Sequence, residues 1–500
     1  MSTMEANALW QQLRENPARV ITAAGSSGDV VLLARIERVA EALQRAGLQC
    51  VASRLDNGLD WFVLDLAVRR IGGVHVPLPT FFSSEQVQHA LASSGAQAVF
   101  AAAGTAQPFP TQGPGRAIEG LDAALCFRLA GDAGVPLPRG TACITYTSGT
   151  TGHPKGVCLD AGTLLQVAGS LVDAAHAIAP RRHLCLMPLS TLLENVAGLY
   201  ATLLADAQIA LPSLSEIGYT GAAGLDVPTL IRCLHRYQPE SVILVPQLLT
   251  ALVMAAESGA PLPGSLRYIA VGGGRVGANL LARAAALGLP VFEGYGLTEC
   301  ASVVCLNRPQ AIRAGSVGQP LPHARVEVMH GELVVHGPRA LAYLGDEQLP
   351  PGPIRTGDLG HLDDDGFVYI TGRRRNVFIT AFGRNVSPEW VESELLAHPE
   401  IAQAVVWGEA RADNIALIVP RRADIGQTQL QRALAQVNAG LPDYAQVARY
   451  VRIATPFSTA DGLLTANGRP RRDAILARFQ AQIDACYRLA PLVSFPGVIA

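Results

Sequence analysis

Five hundred residues exceed what one ordinary hydrophobic core serves, so the chain is expected to fold as two or more domains. Apolar residues make up 49%, charged residues 16%, and the formal charge is −2, which supplies no basic surface of the kind a nucleic-acid partner demands. The nine cysteines are scattered, odd in number and without a CxxC pair, which disfavours a disulfide framework and a zinc site alike.

The amino terminus, Met1-Ser-Thr-Met-Glu-Ala6, lacks the basic start and apolar run of a secretory signal, so a cytoplasmic protein is expected. Ala34–Ala46 reads as a helix with Ile36, Val39, Ala40 and Leu43 on one face. Strands are expected at Val74–Leu78, Ala142–Tyr146, Ser241–Pro246, Leu266–Val271 and Pro290–Glu293, with a further helix at Leu280–Leu287. This alternation is the rhythm of an α/β protein. Gly104–Pro138, rich in Gly, Pro and Ala, reads as a loop. Leu184–Ala205 is the most apolar long stretch, but Pro188, Glu194 and Asn195 break it, so no transmembrane segment is expected.

From about residue 325 the period changes to two. Arg325–Val328, the His330-Gly331 turn and Glu332–Val335 form one hairpin, and the Asp363–Gly366 turn leads into a strand at Phe367–Thr371. Gly372-Arg-Arg-Arg-Asn376 then interrupts the apolar pattern as an interdomain linker. Beyond it a helix starts with Ser387 as N-cap, Pro388 at its first position and Glu389 complementing the dipole. Strands at Ala402–Trp407 and Ile415–Pro420 complete a compact α+β unit.

One lysine, Lys155, stands against 38 arginines. It lies in Tyr146-Thr-Ser-Gly-Thr-Thr-Gly-His-Pro-Lys-Gly156, where the hydroxyls of Thr147, Ser148, Thr150 and Thr151 alternate with Gly149, Gly152 and Gly156. Glycines let successive N–H groups face an anion, and hydroxyls with one compact ammonium complete a donor set suited to a triphosphate. A guanidinium is broader and less able to enter a crowded phosphate site. The segment is not a Walker A loop, because Lys155 follows Gly152 by three residues and is itself followed by Gly156.

This segment resembles the signature of the adenylate-forming (ANL) superfamily, the AMP-binding acyl-CoA synthetases and their relatives. Gly294-Tyr-Gly-Leu-Thr-Glu299, Thr356-Gly-Asp358 and Gly372-Arg373 with Gly383 through Glu392 are similar to three further family motifs in the family's order. The resemblance covers nearly the whole chain. It implies a large N-terminal multi-subdomain α/β domain (1–372) with a small β-barrel-like subdomain, a hinge (373–376) containing Arg375, and a mobile small α+β C-terminal domain (377–500).

The activity so implied is activation of a carboxylic acid by ATP and Mg²⁺ to an acyl-adenylate, followed by transfer to coenzyme A. Nucleotide binding falls to Thr147, Ser148, Gly149, Thr150, Thr151, Gly152, Gly273, Glu293, Gly294, Tyr295, Gly296, Asp358 and Arg373. Tyr295 offers a flat face for adenine, and Asp358 accepts from both ribose hydroxyls while Arg373 steadies the sugar. Glu299 with Thr151 would hold Mg²⁺, which takes few carboxylates plus substrate phosphates. Thr298, Glu299 and Lys155 are the catalytic groups of the large domain. Gly383 and Arg384 would line the coenzyme A channel.

Leu192, Leu193, Val196 and Val271 are expected to wall the acid pocket, and Val76–Ser83 with Asp461–Thr465 are most similar to long-chain fatty acyl-CoA synthetases. A fatty acid is therefore favoured. A carrier-protein phosphopantetheine in place of coenzyme A is an alternative, and assembly as a homodimer is compatible with the sequence. One departure stands out: the family's C-terminal catalytic lysine is Arg469 here, in Leu464-Thr-Ala-Asn-Gly-Arg469. Either arginine keeps the catalytic charge, or the chain is a weakly active or non-catalytic binding homologue.

Overall fold

The computed structural model describes residues 9–11, 20–22, 25–27, 29–105, 108–130, 136–147, 155–220, 224–345, 349, 352–465 and 468–488. Two large sheets dominate. The first runs Ala342–Tyr343, Lys155–Asp160, Thr141–Thr147, Val74–Pro77, Cys50–Arg54, Ala98–Ala102, Ala124–Arg128, Arg116–Ala117. The second runs Gln319–Pro320, Ser302–Leu306, Val291–Leu297, Tyr268–Val271, Ser241–Leu244, Arg182–Leu184, Gln208–Ala210, Val20–Thr22, Gly25–Ser27.

From Val291–Leu297 to Val20–Thr22 the second sheet is parallel. Both faces of a parallel sheet are covered, so Ser241–Leu244 is buried along its whole length. Helix Ala161–Ala175 contacts strands of both sheets, the helical run from Glu194 to Leu204 packs on that helix and on the second sheet, and one core joins Val51, Val157, Leu164, Tyr200 and Phe292. The first seven residues of that run, Glu194–Tyr200, are π-helical. Such turns frequently mark functional positions.

Two sequence expectations change here. Gly104–Pro138 is not all loop: Ala124–Arg128 pairs antiparallel with Ala98–Ala102, burying Ala124 and Cys126. Pro246 leaves its expected strand and becomes the first turn of helix Pro246–Glu257. A proline fits where no N–H partner is needed. The motif Gly294-Tyr-Gly296 is part of strand Val291–Leu297, which pairs with Ser302–Leu306. Glycine is required there because a Cβ on Gly296 would sit 1.6 Å from the Ser302 carbonyl oxygen.

The small β unit is four antiparallel strands in the order Arg325–Met329, Glu332–His336, Ile354–Leu362, Val368–Arg373. Its core joins Val326, Leu333 and Val368 to Cys300 and Val304 of the second sheet. The chain then builds a three-stranded sheet, Ile401–Trp407, Asn414–Pro420 and Val447–Arg452, with separate cores on its two faces. The third of these strands, parallel to the second, was not anticipated. Helix Pro388–Leu396 starts at Ser387, whose side chain makes no capping bond and instead donates to Glu389 Oε2 at 3.3 Å. No helix among the described residues is long and apolar enough to cross a membrane.

Candidate active site

Three motifs distant in sequence meet at one carboxylate. Asp358 is buried, and its Oδ1 accepts from Arg373 Nε at 2.7 Å while its Oδ2 accepts from Tyr295 Oη at 2.7 Å. Register makes this meeting: Asp358 and Arg373 are direct antiparallel partners. Burial, then the Asp358 charge, push the Tyr295 phenol well up, so it remains a donor. Thr356 fixes the turn, its Oγ1 accepting from Asp358 N at 3.0 Å and donating to Leu333 O at 2.8 Å. Glu332 adds a bond from Gly357 N at 2.9 Å and an ion pair to Arg374 at 3.1 Å, tying this turn to the linker.

Lys155 and Glu299 share a neighbour the sequence did not single out. Lys155 Nζ lies 5.5 Å from the centre of the Tyr343 ring, and Tyr343 Oη donates to Glu299 Oε1 at 2.6 Å. Lys155 starts strand Lys155–Asp160 directly opposite Thr147 and is exposed. Ser148, Gly149, Thr150, Thr151 and Gly152, which follow Thr147 in sequence, lie outside the described residues. Gly156 is needed for packing: a Cβ there would lie 2.5 Å from Leu344 Cδ1. Thr298 and Glu299 occupy one 3₁₀ turn, Thr298–Cys300. Behind it Ala301 and Ser302 hold φ of 56° and 101°, uncommon for residues with a Cβ and typical of a constrained site.

The turn Gly272–Gly274 follows strand Tyr268–Val271, with Gly273 at φ 75°. Beside it Glu293 is buried, and desolvation raises its carboxyl to about 7 against the opposing pull of Arg275.

The small domain reaches this turn. Arg469 Nη2 donates to Gly273 O at 2.7 Å. Its loop is closed on itself, Arg469 N donating to Thr465 Oγ1 at 3.0 Å and Thr465 N to Arg469 O at 2.7 Å. Arg472, three residues on, anchors it through a bidentate pair with buried Glu392 at 2.7 and 2.9 Å. Arg469 keeps accessible surface, yet enclosure between the domains, then the Arg373 charge, lower its pKa. It remains a cation. Two contacts hold the domains in register: Glu394 Oε1 accepts from Ala278 N at 2.9 Å at the start of helix Ala278–Ala286, and Arg283 donates to Ala397 O.

These groups open on a cavity of about 2610 Å³. Its lining includes Ala270 and Ile243 of the second sheet and Leu193, Ala197, Ala201 and Ala205 of the helical run. Four-residue spacing puts those alanines on one helical side. Leu192, Leu193 and Val271 also line the cavity, as expected, but Val196 points into the core with no exposure. Arg375 lines the cleft. Gly383 and Arg384 do not; they sit exposed on the turn between Phe378–Ile379 and Asn385–Val386.

Sequence reasoning missed Tyr343, Glu394 and the alanine wall. The spacing Ala197, Ala201, Ala205 was a readable signal. Tyr343 carried none, because only strand pairing with Val157 places it.

A family model described as AMP-binding enzyme matches residues 31–341, and one described as AMP-binding enzyme C-terminal domain matches residues 375–490. The long-chain-fatty-acid–CoA ligase FadD15 of Mycobacterium bovis is 27% identical, over 86% of each chain. The 2-succinylbenzoate–CoA ligase of Bacillus subtilis is 32% identical over 54% of this chain and 56% of its own. Among solved structures, the anthranilate CoA ligase AuaEII with anthranoyl-AMP gives a TM-score of 0.78 at 19% identity, covering 96% of this chain and 98% of that one. The Bacillus subtilis o-succinylbenzoate CoA synthetase with its acyl-adenylate gives 0.74 at 24% identity, covering 94% and 97%.

Proposed function

The chain belongs to the AMP-binding enzyme family, and from that premise we propose that it is an AMP-forming acid–thiol ligase that activates a fatty acid and passes it to coenzyme A. The observation that carries the ligase reading is Arg469, delivered by the small domain to the Gly273 turn beside Asp358, Arg373 and Glu299. A cation brought there can bridge an incoming carboxylate and the α-phosphate it attacks. Asp358, Tyr295 and Arg373 seat the ribose and base. Lys155, at the start of its strand, balances the pyrophosphate as it leaves.

The residues fit a Mg²⁺ ion: Glu299 Oε1 is engaged by Tyr343, and its second oxygen has no protein donor among the described residues. With Thr151 it would hold the ion, which when bound neutralises charge on the phosphates. The acid carboxylate oxygen bonds to the α-phosphorus and the bond to pyrophosphate breaks, leaving an acyl-adenylate. A thiol sulfur then attacks the acyl carbon and AMP departs. For this second step the small domain, divided from the large one at 373–376, turns about Arg375. The hairpin of Gly383 and Arg384 then faces the cleft for coenzyme A.

The acid is read from the cavity. The lining from Leu193 to Ala205 is built largely from alanines that larger side chains would close. A straight chain suits such a channel better than a compact aryl acid. The test is pyrophosphate release over fatty acids from C4 to C18 and over benzoates and 2-succinylbenzoate, with and without coenzyme A. Turnover confined to the aryl acids would overturn the fatty-acid reading, and no turnover with any acid would overturn the ligase reading.

A further inference from the structure

The channel is not apolar to its end. His183, Ser241 and Tyr268 are in direct register across three adjacent parallel strands, and all three line the cavity. They lie at the amino-terminal ends of those strands, away from the Gly272–Gly274 turn that follows Val271. Thr202, one position after Ala201, lines the same cavity. Each of the four is more than nine-tenths buried.

This row is built, not incidental. Glu194, with no exposure, accepts from His183 Nε2 at 3.0 Å and from Met187 N at 3.1 Å, and His183 Nδ1 is 3.0 Å from Ser241 Oγ. Gly198 makes room for the pair: a Cβ there would lie 2.1 Å from Glu194 Oε1 and 2.9 Å from His183 Nε2. The hydroxyls are under-used. Among the described residues neither the Tyr268 phenol nor the Thr202 hydroxyl has a hydrogen-bond partner, and Ser241 Oγ contacts His183 alone. Tyr268 is instead held by stacking on Phe292, ring centres 4.7 Å apart. Hydroxyls left without a protein partner in the lining of a cavity are free to pair with a bound ligand.

We propose that Ser241, Tyr268 and Thr202 form a polar band that selects an acid bearing a hydroxyl or oxo group remote from its carboxylate. This rests on the fatty-acid reading and deepens it. A hydroxyl can donate and accept at once, matching a band of hydroxyls backed by the Glu194–His183 pair. A plain alkyl chain leaves the band unpaired, which is the strongest form of discrimination such a site offers.

The experiment compares kcat/KM for plain fatty acids with matched hydroxy and oxo acids, the substituent moved along the chain. For one stretch of substituent positions the oxygenated acid is expected to be preferred about tenfold, the discrimination one or two well-placed bonds supply. Tyr268→Phe and Thr202→Val, which change shape little, each bring that ratio towards one, as does Ser241→Ala. Equal rates for plain and oxygenated acids at every position, with plain acids turned over, overturn the inference and leave the fatty-acid reading standing. An oxygenated preference that survives all three variants also overturns it. Turnover of aryl acids alone overturns the underlying reading as well.

Discussion

Replacing Arg469 by alanine isolates what the small domain contributes to adenylation. The guanidinium donates to Gly273 O at 2.7 Å and faces the charges of Asp358 and Glu299 against the competing cations Arg373 and Arg375. A hydrogen bond involving a charged group is worth about 1.5–3 kcal/mol. Arg469 keeps solvent contact, so the lower end applies. About 1.5 kcal/mol is roughly tenfold in rate. ATP–pyrophosphate exchange in the presence of the acid should therefore fall at least tenfold in Arg469→Ala. Thioester formation from supplied acyl-adenylate should stay within about twofold, because Arg469 serves the arrangement in which the first step occurs. An unchanged exchange rate refutes the role. Arg469→Lys should lie between wild type and alanine, since it keeps the charge and loses the fork.

Lys155→Arg should lower exchange at least tenfold, because a phosphate site that suits the compact ammonium beside Tyr343 admits a broader guanidinium less well; full activity would defeat the size argument. Ala201→Phe fills the channel, and expelling four methylenes forfeits about 3 kcal/mol. Turnover of C16 acids should then drop roughly a hundredfold while C4 and C6 acids keep theirs. Glu293→Gln tests linkage by thermal melts across pH. Folded Glu293 holds its proton up to about 7 and its ordinary value is 4.5, so its stabilisation is complete below pH 4.5 and is lost as pH rises towards 7. The contribution is about 3 kcal/mol. The wild-type melting temperature should fall across that window, and the glutamine variant should fall less; identical slopes would show that Glu293 does not titrate there.

What was legible in the sequence was chemistry carried by contiguous residues. The three strands expected in the second sheet, and the helix Ala278–Ala286 between two of them, appear within a few residues of their expected places, because buried parallel strands are short apolar runs between glycines and prolines, while the sheet's other six strands were not read. Thr356-Gly-Asp358 and Gly294-Tyr-Gly296 could each be read alone. Their meeting could not, since it depends on Asp358 pairing with Arg373 and on Tyr295 reaching across from another sheet. The glycines misled in a different way. Gly296 and Gly156 suggest pliant loops, yet both lie in strands where a neighbour leaves no space for a Cβ. Val196 is fully buried in the core, whereas Leu193, Ala197 and Ala201 of the same helical run line the cavity.

The lysine–arginine contrast becomes intelligible once both cations are placed. Lys155 emerges from a strand of the first sheet, with Thr147 opposite and an aromatic ring close by, so its surroundings are fixed by backbone pairing within one domain. Arg469 approaches from a second domain whose position is set at the surface, by Glu394 on the helix start at Ala278 and by Arg283 on Ala397 O. A site assembled between domains can adjust to a broader head group by small rigid-body shifts, whereas a site inside one sheet cannot. Arginine gains there besides: one of its several N–H groups holds the Gly273 carbonyl while the others remain directed into the cleft. A chain that uses arginine for 38 of its 39 Lys and Arg residues can thus accept it at the position between domains, and retains lysine at the strand start opposite Thr147 and beside the Tyr343 ring.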